Sequence, residues 1–138
     1  MPSNSVGGFT SRILEHFHHP RNAGVANDFN HCYLEQENPW LIRIQFTLRV
    51  EKGMIEEVKF QTQSCVTTTA CASALSEMVQ SKTTGEALSI TPEQLSEYLG
   101  TVPPEKMHCC RLAVATLRNA LGSPCGSGAV LHSSEGKN

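Results

Sequence analysis

The chain has 138 residues, 39% hydrophobic and 17% charged, which suits one globular domain with a single modest core. Eleven basic residues against thirteen acidic ones leave a formal charge of -2, no electrostatic footprint for nucleic acid or an anionic membrane. No apolar stretch approaches the ~20 residues of a bilayer span, and the opening MPSNSVGGFT lacks a basic start followed by an apolar run, so a cytoplasmic protein without membrane partners is expected.

Residues 1–8 are small and polar and 123–138 are rich in Gly and Ser, which predicts flexible tails around one domain over 9–122. Between Thr10 and His19, Ile13, Leu14 and Phe17 follow Phe9 at helical spacing, and Pro20 ends the pattern because it has no amide donor. His16, His18 and His19 read as the solvated end of that helix. Segment FNHCYLE supplies a weakly alternating strand. The clearest strand is IRIQFTLRV, where Ile42, Ile44, Phe46, Leu48 and Val50 alternate with polar residues and demand a helical cover on one face. Glu51, Lys52 and Gly53 form a compact turn, and VKFQTQ returns as the antiparallel partner.

After the hairpin, Cys71, Ala74, Leu75, Met78 and Val79 form one helical stripe behind threonines suited to capping, which puts Cys65 where strand gives way to helix. Thr91-Pro92-Glu93-Gln94 combines a cap, a proline at the first helical position and a Gln three residues past the cap. A last helix carries Leu112, Ala113, Thr116, Leu117, Ala120 and Leu121 on its core side and ends at Gly122. The expected fold is α+β: an N-terminal helix, a small three-stranded antiparallel sheet, then several helices packed on one face.

The six cysteines stand at 32, 65, 71, 109, 110 and 125 with no CxxC, a pattern that favours thiol or metal chemistry over disulfide stapling. Cys65 and Cys109 each sit at the opening of a predicted helix, where unpaired amides and the macrodipole favour a thiolate. His108 adds an imidazole beside Cys109, and two thiolates with an imidazole suit zinc or an iron-sulfur centre far better than magnesium or calcium. Cys71 on the apolar stripe reads as a core residue, and Cys125 as an incidental exposed thiol. Cys110, about 100 degrees around the helix from Cys109, points away from any shared centre. A Cys65 nucleophile with His108 as base is the unrelated enzyme reading, but no glycine-rich oxyanion loop or nucleophile elbow supports it.

HFHHPRNAG, GMIEEVKFQTQSC and VPPEKMHCCRLA, in that order over 9–122, resemble the opening helix and PRN-G signature, the second strand with its ligand cysteine, and the PP-K-HC segment of the IscU/NifU N-terminal family. The resemblance implies a non-enzymatic scaffold that takes sulfur from a cysteine desulfurase as persulfide, takes up iron and builds a [2Fe-2S] cluster with chaperone help. By position it implies Cys65 and Cys109 as ligand cysteines, His108 as accessory ligand, and Cys109 as sulfur acceptor. Where the family has a cysteine followed by Gly-Asp, this chain reads NPWLIRI, with Trp40 and Ile42 near the absent groups. In the chaperone-docking stretch Glu105 replaces an apolar anchor.

Pairing FNHCYLE with WLIRI through a turn near Gln36 and Glu37 sets Cys32 opposite Ile42, at about 5 Å across the ladder, as a replacement metal ligand. The alternatives are a cluster-incompetent relative that binds a desulfurase, and a zinc-binding sulfur acceptor using the mixed Cys/His set.

Overall fold

Ten residues of apolar and polar alternation favour an extended chain at Ile42–Glu51. In the computed structural model, which describes residues 10–37, 42–63 and 65–124, this segment is β2, the central strand of an antiparallel sheet. Its neighbours are β1 (His31–Glu37) and β3 (Met54–Gln63), in the order β1-β2-β3. Lys52 and Gly53 take φ of 53° and 77°, the paired left-handed conformation that lets a two-residue turn follow the twist of its strands. The ladder shifts register between Arg49 and Val50. That bulge changes the parity of β3, so Ile55 and Val58, three residues apart, both reach the core with Phe60.

Ile44, Phe46 and Leu48 are fully buried beneath the helices. α1 (Ser11–His18) is capped by the Thr10 side chain, and α2 (Val66–Val79) starts behind β3. α3 (Thr84–Leu88) and α4 (Pro92–Tyr98) each open with a reciprocal capping box, Thr83/Glu86 and Thr91/Gln94. A 3-10 turn at Pro104–Lys106 leads into α5 (Met107–Leu121), which packs on β1, β2 and α2. The sequence stripe on α2 understates its burial. Thr67, Thr68, Ala70 through Ser76 and Val79 are all buried, because α2 has the sheet on one side and α1, α4 and α5 around the rest.

The second sheet face is also covered. Gln45 and Thr47 are 5% and 1% exposed, and the amide of Ala26 donates to Thr47 Oγ1 at 2.8 Å, so the loop after α1 lies across the polar side of β2. Ala26, Phe29 and Cys32 form a small apolar cluster there. Both sheet edges have partners: Asn22 and Gly24 exchange backbone hydrogen bonds with Phe60, and Ser123 accepts one from the Cys32 amide. This pairing blunts edges that would otherwise template aggregation.

Two expectations need correction. β1 runs on through Glu37, which pairs with Ile42, so Cys32 faces Thr47 five rungs away, about 17 Å at ~3.4 Å per residue. Tyr33, opposite Phe46, packs on the helix-side core, so by alternation Cys32 points to the other face. It is disulfide-bonded, whereas the cysteine spacing favours thiol or metal chemistry over stapling. The other correction concerns His16, which is 6% exposed instead of solvated. Its Nδ1 lies 2.8 Å from Ser73 Oγ, which also accepts the Arg21 amide at 2.8 Å, so α2 clamps both α1 and the Pro20-Arg21-Asn22 loop. Burial, and next the Arg21 charge, hold the His16 pKa below its usual value. Much of the two tails, including Cys125, lies outside the described residues.

Ser73→Ala should leave the Arg21 amide and His16 Nδ1 without partners in the interior. The expected cost is about 1–3 kcal/mol, read as a lower urea midpoint at unchanged slope.

Candidate functional site

β3 ends at Gln63 and α2 begins at Val66, with Thr62 Oγ1 bonded to Thr69 Oγ1 at 3.1 Å to fix the angle between strand and helix. Cys65 in this junction is the N-cap of α2, with extended dihedrals of -82° and 175°, and it is exposed. Its Sγ lies 3.4 Å from Thr68 Oγ1, and the helix places the otherwise unpaired amides of Thr67 and Thr68 beside it. A negative sulfur is favoured there by local structure alone.

The second half of the site comes from α5. Ser96 Oγ accepts the Val102 amide at 2.8 Å and Pro103 O accepts the Lys106 amide at 2.8 Å, which pins the proline pair and sets where α5 begins. Cys109 then falls in the first turn, 1% exposed, with its thiol against Cys65. His108 is exposed, and its Nε2 lies 3.6 Å from Cys109 Sγ. The imidazole thus stands beside Cys109 and not Cys65, so Cys65 is activated by a thiol and a helix terminus instead of a histidine base.

The two sulfurs divide one proton unequally. The hydrogen bond from Cys109 is the largest influence on Cys65 and takes its pKa down to about 4, with the Thr68 and Thr67 donors adding to it against the cost of burial. Cys109 moves the opposite way, first because it donates to Cys65 and next because it is buried. The exposed sulfur carries the charge and the interior one keeps the hydrogen.

Behind this pair lies another that the sequence pattern does not reveal. Cys110, expected to point away from the centre, does so, but its Sγ meets Cys71 Sγ at 3.6 Å, both fully buried between α2 and α5. Cys71 is raised, first by the hydrogen bond with Cys110 and next by burial, while the same bond lowers Cys110. No spacing rule joins positions 71 and 110; the signal exists only once the two helices are packed.

Cys65, Cys109 and His108 therefore share one corner, and Cys32 does not join them. A sulfur committed to a disulfide on the opposite sheet face offers no thiolate, so the expected repair of the ligand set through Cys32 is not retained. Residues 38–41, with Trp40, and the Ile42 side chain lie outside the described residues. Among the described residues, no group of three or more His, Cys, Asp or Glu side chains is closed up as a metal cage. None of the helices of the described residues is long and apolar enough to cross a membrane.

Residues 8–123 match the sequence model of the NifU-like N terminal domain. The chain is similar to the iron-sulfur cluster assembly scaffold protein IscU of Aquifex aeolicus, 36% identical over 82% of this chain and 73% of that protein. It is also similar to the iron-sulfur cluster assembly scaffold protein IscU 1 of Archaeoglobus fulgidus, 34% identical over 82% of this chain and 74% of that one. Among solved structures, the N-terminal part of a NifU-like protein from Brucella abortus superposes with a TM-score of 0.69, covering 82% of this chain and 91% of the other. At 12% identity that likeness concerns the fold.

If Cys109 supplies the hydrogen that holds Cys65 ionised, Cys109→Ala should raise the pH midpoint for alkylation of Cys65 toward that of an ordinary thiol. Iodoacetamide labelling followed by peptide mass spectrometry reads the midpoint, and an unshifted value contradicts the shared proton.

Proposed function

The chain belongs to the NifU-like N-terminal domain family, and from that premise we propose that it is an iron-sulfur cluster assembly scaffold, a carrier and not a turnover enzyme. The observation that carries this reading is the meeting of Cys65 and Cys109 at one rim of the fold with His108 beside them. Soft sulfur donors and a borderline imidazole suit iron and sulfide, the cargo of such a scaffold. An exposed sulfur next to a buried one gives the cargo a way in from solvent and a dry wall behind it.

Sulfur arrives as the persulfide of a cysteine desulfurase. The Cys109 sulfur attacks the terminal sulfur of the donor, and its proton passes to the cysteine that leaves. The donor's S–S bond breaks, its cysteine departs as a thiol, and Cys109 holds the new S–S bond. Iron then binds through Cys65, Cys109 and His108. The fourth position falls to a donor beyond these three, because the family's first cysteine and its Gly-Asp have no counterpart in NPWLIRI. Glu105 lies exposed in the 3-10 turn, where a charge replaces the family's apolar anchor, so chaperone docking is expected to be weak.

A zinc-holding sulfur acceptor is the second reading, favoured by the mixed thiolate and imidazole donors. Anaerobic incubation with ferrous iron, cysteine and a desulfurase separates the two. Visible charge-transfer bands with stoichiometric sulfide support the scaffold, and colourless protein with bound zinc supports the second reading. Desulfurase binding without metal or persulfide instead marks a relative reduced to a binding module. In the scaffold case Cys65→Ser and Cys109→Ser should each lower metal affinity by at least about tenfold. Cys32→Ser should leave metal content unchanged.

A further inference from the structure

The edge of β1 away from β2 is crossed by the chain that leaves α5, and the backbone hold there is thin. The Cys32 amide donates to Ser123 O at 3.2 Å, and His31 forms an antiparallel bridge with Pro124. Pro124 is exposed and has no amide with which to extend such a ladder. Cys32 is the fixed point beneath this segment. It is 2% exposed, packed with Ala26 and Phe29, and its sulfur is committed to a disulfide. Cys65, Cys71, Cys109 and Cys110 are all free thiols, so within the chain the sulfur left to pair with it is that of Cys125. Position 125 follows Ser123 by two residues, a reach of at most ~7 Å, comparable with the ~4.4–6.8 Å between the Cα atoms of a disulfide.

We propose that Cys32 and Cys125 form a redox-reversible strap that ties the end of α5 to the edge of β1, closed as a disulfide and open as two thiols. Closing takes a small disulfide such as oxidised glutathione. One protein thiol attacks it, the small S–S bond breaks, and one small thiol leaves with that thiol's proton. The other protein cysteine attacks the mixed disulfide, forms the Cys32–Cys125 bond, and expels the second small thiol with its own proton. Two protein thiols lose two electrons and one small disulfide gains them, and a dithiol reverses both steps. With the bond open, a single amide-to-carbonyl contact and a bridge to a proline hold the segment weakly, and β1 becomes an unpaired edge strand. With it closed, a loop of most of the domain is shut, which cuts the freedom of the unfolded chain. The strap leaves the last turn of α5 and Cys109 lies in its first, about 18 Å away at ~1.5 Å per residue, so it does not depend on the sulfur or iron chemistry above.

The test places the full chain in anaerobic buffers that run from reduced to oxidised glutathione. Acid quenching, differential alkylation and peptide mass spectrometry report the state of each cysteine. The expected result is that Cys32 and Cys125 leave the free-thiol pool together, are recovered as one cross-linked peptide pair, and both return with dithiothreitol. Opening the bond should lower Tm by at least about 5 °C and speed hydrogen exchange at the Cys32 amide at least about tenfold. Cys125→Ser should show the open-state values and no response to dithiothreitol. Position 125 lies past the last helix, so this variant serves even where Cys32→Ser, in the interior, folds poorly. A Cys32 that stays a free thiol in oxidised glutathione alone, or is recovered linked to any other cysteine, overturns the pairing. Tm and exchange that are equal in the two states, or a dithiothreitol effect that persists in Cys125→Ser, overturn the strap.

Discussion

The N-terminus of α2 meets the first turn of α5, and the thiol of Cys109 gives its hydrogen to Cys65 at that junction. Most of the fold serves to hold these two helix starts together. The Thr62–Thr69 bond sets α2 on the end of β3, and the Ser96 and Pro103 bonds set where α5 begins. Ile44, Phe46 and Leu48 lie fully buried in the core, with α5 packed on β2 and α2 on β3. A helix start can be placed to within a residue by its own caps, but the distance between two of them depends on everything packed behind.

That division explains the contrast between the two cysteine pairs. At the rim, solvent and helix amides stabilise a charge on Cys65, so the hydrogen of the pair stays on the buried Cys109. In the interior, Cys71 and Cys110 have no water to stabilise a lone charge, and each thiol finds its partner in the other at 3.6 Å.

Much of the scaffold could be read directly. The alternation from Ile42 to Val50, the Lys52-Gly53 turn, the Thr91 capping box and the stripe of α5 all describe local preferences, and each element appears in place. α3 is not legible along the chain although Thr83 and Glu86 have capping-box spacing, since five residues give too short a periodic signal. The burial of His16 was also hidden, because the partner that makes it tolerable, Ser73, stands 57 residues away. A turn at Gln36 and Glu37 would set Cys32 opposite Ile42, but β1 runs on through Glu37 and sets it opposite Thr47. One extra pair of rungs in a ladder changes which residue stands opposite, and an odd shift also reverses the face.

By itself the sequence determined which residues could act: two thiols at helix openings, a neighbouring histidine, and the absence of a cysteine and Gly-Asp at the head of the long strand. Helix starts and strand alternation are set by neighbours a few residues apart, so they are legible along the chain. Tertiary packing alone decided that Cys65 meets Cys109, that Cys110 meets Cys71, and that Cys32 lies across the sheet from all of them. These contacts join positions 39 to 44 residues apart or turn on the register of a ladder. Local propensity carries no record of such distances, because they are fixed only when the core closes and each side chain has one place left to go.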